Sequence, residues 1–345
     1  MPVDFTRLAD WMDTQGLESG PIANAARLTG GTQNVIVKFN RGRSQFVLRK
    51  PSAHLRFNSN ETMLREARVL RALAGSGVPH PGLIAVCADT NVLGSTFYLM
   101  EPISGFSAPA GLPRLHAGDA TVRHRMGLAL AEAGAMLSEV DHVKADLADF
   151  GKADGFLERQ TARWLSQLES YTAETGWPGP HDLPGVEMVG RWLADNLPAS
   201  SYRPGLIHGD YHVANVLYRF DGPELAAIID WELATIGDPL LDLGWLLALW
   251  PDDAGNLPDP EIAIEPWQGF PTASELVAHY GRMSMRDLAI LPWFAVLACY
   301  KLGIILEGTH ARACAGKAEK EMGDRLHAVA VRLLARAQQW IGRAS

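Results

Sequence analysis

Cysteine is scarce in this chain of 345 residues: there are three, Cys87, Cys299 and Cys314, with no C-x-x-C pair among them. An odd count without pairing excludes a disulfide framework and a cysteine-built zinc site, and predicts three small buried thiols in a reducing, cytoplasmic setting. Positive charge is scarce as well. The 31 lysines and arginines are outnumbered by 39 acidic residues, for a formal net charge of −8, and no basic run or stripe interrupts the sequence. Nucleic acid is therefore not expected as a partner. A long apolar run is missing too: the best, residues 291–306, is short for a membrane span and carries Lys301 inside it, so no membrane partner is expected. The opening Met1-Pro2-Val3-Asp4-Phe5 has neither the basic nor the apolar region of an export signal. Internal repeats and low-complexity tracts are absent. What remains is 47% hydrophobic and 20% charged, a globular composition over a length suited to two lobes.

The first third reads as α+β. Residues 35–39 and 45–49 are β-prone runs joined by the polar turn Asn40-Arg41-Gly42-Arg43, which predicts an antiparallel hairpin. A helix follows, capped by Ser59 or Asn60 and ended by Gly75 or Gly77; two further strands are expected at 82–87 and 96–100. Glu101-Pro102-Ile103-Ser104-Gly105 breaks the pattern and reads as a linker between lobes. The chain thus divides into an N-lobe (1–100), a hinge (101–105) and a mainly helical C-lobe (106–345). Within the C-lobe, 123–140, 155–171 and 186–197 carry helical periodicity, and Thr272-Ala273-Ser274-Glu275 has capping-box spacing. The proline- and acid-rich stretch 251–269 reads as a surface loop.

Chemistry concentrates in Leu206-Ile207-His208-Gly209-Asp210-Tyr211-His212-Val213-Ala214-Asn215 and in Ile228-Ile229-Asp230-Trp231-Glu232. Apolar pairs flank each polar cluster, so the polar side chains fall on turns held by buried strands. A loop carboxylate, a loop amide and a strand-end carboxylate are what phosphoryl transfer needs: a base for the hydroxyl proton, and oxygen ligands to hold Mg²⁺ against nucleotide phosphates. Asp-x4-Asn followed by a second Asp matches the protein-kinase signature, with Asp210 as base and Asn215 and Asp230 on the metal. The bland alternative is that all three only cap turns.

A kinase-like N-lobe also needs a strand cation paired to a helix glutamate. Glu66 shares its helix face with Met63, Ala67, Leu70 and Leu73, and a carboxylate on a buried stripe calls for a cation. Arg49 and Lys50 are the candidates, on opposite faces of their strand; the competing reading pairs Glu66 with Arg65 or Arg68 on its own helix. Gly30-Gly31-Thr32-Gln33-Asn34 would be the phosphate-covering loop, although it lacks the full G-x-G-x-x-G. Gly209 stands where kinases switched on by loop phosphorylation carry arginine, and only seven residues, 231–237, separate Asp230 from Asp238. That leaves little room for a peptide-binding segment and points to a small-molecule acceptor.

His208-Gly209-Asp210-x4-Asn215, Ile229-Asp230-Trp231-Glu232 and Gly237-Asp238-Pro239-x2-Asp242-Leu243 together resemble the aminoglycoside phosphotransferase superfamily. Within it the chain is most similar to the branch of kinase-like domains fused to some acyl-CoA dehydrogenases. Matching stretches run from Leu28-Thr29-Gly30-Gly31 through Val47-Leu48-Arg49-Lys50-Pro51 to Gly269-Phe270-Pro271-Thr272, nearly the whole chain. The resemblance implies a bilobal protein-kinase-like fold and an ATP- and Mg²⁺-dependent enzyme, monomeric or homodimeric, that phosphorylates a hydroxyl of a small molecule. It places Arg49 on the α/β-phosphates and against Glu66, with Lys50 as the alternative, and sets Met100, Glu101 and Ile103 at the adenine hinge. His208, Asp238 and Asp242 would support the catalytic loop, the two aspartates in part by capping a helix. His212 faces either the acceptor or solvent. Lys301, His310 and Arg312 fall on late helices that wall the acceptor side in this superfamily; by themselves they read as a solvated face. For the acceptor, the branch points to a hydroxyacyl-CoA or hydroxy acid. An aminoglycoside or amino alcohol is the alternative, with Asp252, Asp253, Asp259, Glu261 and Glu265 as its acidic pocket. Readings of another class are a nucleotide-binding pseudokinase and a metallohydrolase built on His208-x-Asp210-x-His212.

Overall fold

The computed structural model describes residues 3–28, 34–52, 58–198, 203–252 and 255–344. Helix α1 (Phe5–Thr14) precedes strands β1 (Ile22–Arg27), β2 (Asn34–Arg41) and β3 (Ser44–Pro51), helix α2 (Ser59–Leu73), β4 (Leu83–Cys87), the single turn α3 (Thr90–Leu93) and β5 (Phe97–Met100). The five strands form one antiparallel sheet in the order β1-β2-β3-β5-β4. The expected hairpin pairs in full register from Asn34↔Pro51 to Arg41↔Ser44. Strand alternation divides the β3 side chains. Phe46 and Leu48 join Leu8, Met12, Phe39, Phe97 and Leu99 in a core covered by α1, while Arg49 shares the opposite face with its register partner Tyr98, toward α2.

Residues 101–105 carry no regular element, after which Phe106 bridges to Tyr218. The second lobe is mainly helical: α4 (Arg114–Gly118), α5 (Ala120–Ser138), α6 (Phe156–Ser170), α7 (Val186–Asp195), α8 (Leu240–Leu249), α9 (Ala273–Met283), α10 (Leu291–Cys314) and α11 (Lys320–Ala344). Between α7 and α8 lie four short strands in two pairs: β6 (Gly205–Ile207) with β9 (Thr235–Gly237), and β7 (Val216–Tyr218) with β8 (Leu225–Ile228). Both the loop and the strand end that carry the chemistry are slung between these pairs. The Thr272–Glu275 capping box forms and opens α9.

Four sequence expectations need correcting. The N-cap of α2 is Asn58, with no side-chain capping bond. Asn60 instead accepts the Thr96 N–H at 3.0 Å and ties the helix to the start of β5. Cys314 is exposed, unlike the buried Cys87 and Cys299, because it lies in the last turn of α10. Helix α10 runs on past residue 306 and is long and apolar enough to cross a membrane; 67% of its apolar window is buried within the protein, against α8 and α11. Last, α1 and β1 have no counterpart in the sequence reading: five of the six β1 side chains are exposed and give no alternating signal.

Candidate active site

Strand β6 delivers the chain into His208 and Gly209. Gly209 has φ +85, and a Cβ there would stand 2.5 Å from the Leu233 carbonyl oxygen, so both backbone conformation and space call for glycine. The two loop N–H groups at this turn, on His208 and Gly209, donate to Asp242 at 2.6 and 2.8 Å. Asp242 is buried in the first turn of α8, where burial pushes its carboxyl up while His208 and the two N–H groups pull it down. Its role is thus to hold the loop. Helix capping falls to Asp238, which accepts the Leu240 N–H at 3.0 Å and lies 3.5 Å from Arg286. The buried His208 ring meets Ile229 O at 2.9 Å and accepts the Asp210 N–H at 3.3 Å. With both nitrogens engaged, His208 is a brace, and the metallohydrolase reading loses its first ligand.

Asp210 and Asn215 meet across their loop. The Asn215 amide nitrogen donates to Asp210 Oδ2 at 2.8 Å and to Asp210 O at 2.9 Å, which leaves the amide oxygen Oδ1 as an acceptor. His212 Nε2 lies 3.3 Å from Asp210 Oδ1. Burial acts to raise the Asp210 carboxyl, but His212, His208 and Asn215 outweigh it and hold the group well below the ordinary carboxylate range. Asp210 is therefore a carboxylate ready to accept a hydrogen bond.

Asp230 follows β8, whose pairing Val216↔Ile228 places it beside Asn215; the Ile229 N–H donates to Asn215 O at 2.9 Å. Its own backbone is left-handed, φ +67, a conformation aspartate tolerates better than most residues. Arg49 joins this segment to the N-lobe. Its Nη2 donates to Asp230 Oδ1 at 2.6 Å, and its Nε lies 2.9 Å from Glu66 Oε2. Glu66, 1% exposed, also accepts the Tyr98 hydroxyl at 2.9 Å. Burial pushes the Glu66 carboxyl up to about 7, with Arg49 pulling against it. Arg65 and Arg68 bond instead to Phe150, Ala234, Asp146 and Asp149, so the same-helix pairing of Glu66 is excluded. Lys50 is turned to the other face, where its ammonium donates to Leu93 O at 2.8 Å. Strand parity thus decides that Arg49, and not Lys50, is the partner of Glu66.

Asn215 and Asp230 offer oxygen donors, the chemistry of a hard cation such as Mg²⁺. At the hinge, Met100 is still paired within the sheet and the Glu101 N–H donates to Gly82 O at 2.8 Å. That N–H is unavailable to a base, which leaves the Glu101 carbonyl and the Ile103 N–H. Gly30, Gly31 and Thr32 lie outside the described residues. Two residues that the sequence reading left open, His212 and Lys301, join the site, and Lys301 is not on a solvated face. His212 is turned onto Asp210. Lys301 is half-buried, with its ammonium 3.4 Å from Gly209 O and 4.6 Å from the Trp245 ring. Burial pulls Lys301 down to about 8, against Asp242 and Asp210. The helical repeat of α10 could not choose between these readings, because the partners of Lys301 are distant in sequence.

A small antiparallel sheet with α1 and α2 packed against it, a short linking segment and a helical lobe bearing a two-segment carboxylate site define a bilobal protein-kinase-like fold. The profile of the phosphotransferase enzyme family matches residues 24–276, and the chain belongs to that family. It is similar to acyl-CoA dehydrogenase family member 11 of Homo sapiens, 28% identical over 311 residues, covering 89% of this chain and 38% of that protein. The Gallus gallus counterpart is 30% identical over 304 residues, covering 85% and 37%. The chain thus spans well under half the length of these relatives. Among solved structures, a candidate aminoglycoside phosphotransferase from Ralstonia eutropha superposes with TM-score 0.80 at 25% identity, covering 98% of this chain and 99% of that one. Aminoglycoside phosphotransferase APH(4)-Ia, in complex with AMP-PNP and hygromycin B, shares the fold with TM-score 0.58 at 16% identity, covering 95% and 98%.

Proposed function

We propose that the protein is an ATP- and Mg²⁺-dependent phosphotransferase whose acceptor is a hydroxyl of a hydroxyacyl-CoA or hydroxy acid. The observation that carries the phosphoryl-transfer reading is that Asn215, bonded to Asp210, accepts the Ile229 N–H and so lies beside Asp230, which in turn is bonded to the Arg49–Glu66 pair. Asp210 would accept the proton of the attacking hydroxyl, oriented by His212 and Asn215. Asn215 and Asp230 would hold Mg²⁺, which when bound neutralises charge on the nucleotide phosphates. Arg49 would carry positive charge to the α/β-phosphates while anchored on Glu66, and the Glu101 carbonyl and Ile103 N–H would receive the base. The intact Asp210, Asn215 and Asp230 favour an enzyme over a pseudokinase.

The acceptor reading rests on charge. Lys301 stands beside the catalytic loop, and Arg163 is near enough to oppose its charge. A polycationic aminoglycoside would be repelled there, whereas an anionic acyl-CoA or hydroxy acid would be drawn in. Of the acids expected to form an acidic pocket, Asp259 pairs with Arg325 at 3.5 Å and Asp252 accepts the Asn256 N–H at 2.8 Å, while Asp253 lies outside the described residues. The names of the similar acyl-CoA dehydrogenase family members point the same way. The test is a phosphate-transfer screen of purified protein with ATP and Mg²⁺ against hydroxyacyl-CoA esters, hydroxy acids, sugars, amino alcohols and aminoglycosides. The expected result is the highest kcat/KM on a hydroxyacyl-CoA or hydroxy acid. Preferential transfer to an aminoglycoside would overturn the acceptor, and no transfer to any hydroxyl would overturn the activity.

A further inference from the structure

The far end of α10 gathers side chains that phosphoryl transfer does not use. Glu307 and His310 stand on α10, His327 on α11, and Asp182 on the short turn Pro180–Asp182. His310 lies nine residues beyond Lys301, or roughly 13 Å along the helix axis, away from the catalytic loop. One ligand atom from each of Asp182, His310 and His327 falls within 4.8 Å of the others. We propose that these three residues form a binding site for a zinc-class divalent cation that clasps α10, α11 and the 180–182 turn.

The hydrogen bonds around the cluster already have the form of a metal site's outer shell. His327 Nδ1 lies 2.8 Å from Glu307 Oε2, and the other Glu307 oxygen accepts the Trp177 indole N–H at 2.7 Å. Glu307 is fully buried, so both its oxygens are fixed. A fixed carboxylate there keeps the imidazole proton on Nδ1 and leaves the Nε2 lone pair for a cation, as in carboxylate–histidine–zinc arrangements. Nε2 faces Asp182 Oδ2 at 3.6 Å, a separation close to that of two ligands on one tetrahedral zinc, about 3.4 Å for bonds of about 2.1 Å.

His310 supplies an independent sign. It is 9% exposed, yet its Nδ1 has no hydrogen-bond partner; the nearest acid, Asp324 Oδ1, stands 3.8 Å away. A buried ring nitrogen without a partner is costly, and a ligand satisfies it. The His310 and His327 rings face each other with centroids 4.6 Å apart. Two imidazoles with one carboxylate suit zinc-class ions, whereas Mg²⁺ and Ca²⁺ take oxygen alone. Asp182 and Glu307 together supply two negative charges to match the cation. The exposed Asp182 side chain is free to close on the ion, and water completes four-coordination.

The test is titration of chelator-stripped, full-length protein with Zn²⁺ against a chromogenic competitor, with thermal melts alongside. The expected result is one equivalent bound by the wild type with a raised Tm. His310→Gln and His327→Gln should lose at least about tenfold in affinity together with the rise in Tm. If either histidine variant fails to fold by far-UV circular dichroism, Asp182→Asn, at an exposed side chain, must show the same loss with the fold retained. No stoichiometric zinc in the wild type, or equal zinc affinity in wild type and Asp182→Asn, would overturn the site. The site stands apart from the phosphotransferase reading, so an inactive protein that binds zinc in this pattern still supports it.

Discussion

Arg49 Nη2 stands 2.6 Å from Asp230 Oδ1, joining β3 to the end of β8 across 181 residues, while the same guanidinium holds Glu66. A planar fork can serve two carboxylates at once, which a lysine ammonium does only with poorer geometry. The lobes are thereby tied at the place where nucleotide phosphates are proposed to bind.

Arg49→Met should destabilise the fold by roughly 3–5 kcal/mol, because it leaves Glu66 buried without its cation. The loss should grow with pH. Without Arg49 the Glu66 pKa rises further above its unfolded value, so the native state holds a proton that the unfolded state gives up, and stability falls as pH rises above the ordinary glutamate range. Urea unfolding at about pH 5 and about pH 8 measures this, and Arg49→Met/Glu66→Met should recover most of the loss. Equal stability of Arg49→Met and wild type at the higher pH would show that the pair is not the anchor described.

Asp210→Ala should lower kcat by about 10²–10⁴-fold with little change in ATP affinity, since a base acts in the transition state. Steady-state kinetics with nucleotide-binding measurements separate the two quantities. Near-wild-type turnover would remove Asp210 from the chemistry.

Asp230→Ala should abolish the Mg²⁺ dependence of nucleotide binding. Calorimetric titration of ATP with and without Mg²⁺ reads this directly. If binding still tightens with Mg²⁺, the cation is held elsewhere.

Asp242→Ala should cost roughly 2–4 kcal/mol, because two buried N–H groups, those of His208 and Gly209, lose their acceptor together. Chemical denaturation gives the number, and a loss under about 0.5 kcal/mol, the range of an ordinary surface substitution, would contradict the bracing role.

Lys301 titrates near 8 in the folded protein and higher when unfolded. Between those values the unfolded chain binds more protons, so stability should rise with pH from about 8 toward the ordinary lysine range. Comparing the melting temperatures of wild type and Lys301→Met across that window isolates the effect: the wild type should gain on the variant as pH increases. Parallel curves would place the ammonium in water.

Where neighbouring residues interact, the sequence was a sufficient guide. The β2–β3 hairpin, the Thr272–Glu275 capping box and the apolar stripe carrying Glu66 are local patterns, set by turn chemistry, a side-chain–backbone bond three residues apart and the helical repeat. The Asp210–Asn215 contact is equally local, five residues within one loop.

The sequence by itself determined the kinase-like arrangement of motifs, the need of Glu66 for a cation and the oxygen-donor character of the Asn215 and Asp230 set. Only the tertiary structure decided that Arg49 and not Lys50 meets Glu66, that Asp242 braces the Asp210 loop from α8, that His212 meets Asp210 and that Lys301 meets Gly209. It alone gathers Asp182, His310 and His327. Local periodicity fixes which face of an element a side chain occupies, whereas packing of distant segments fixes what that face meets, and burial then sets the charge of each group.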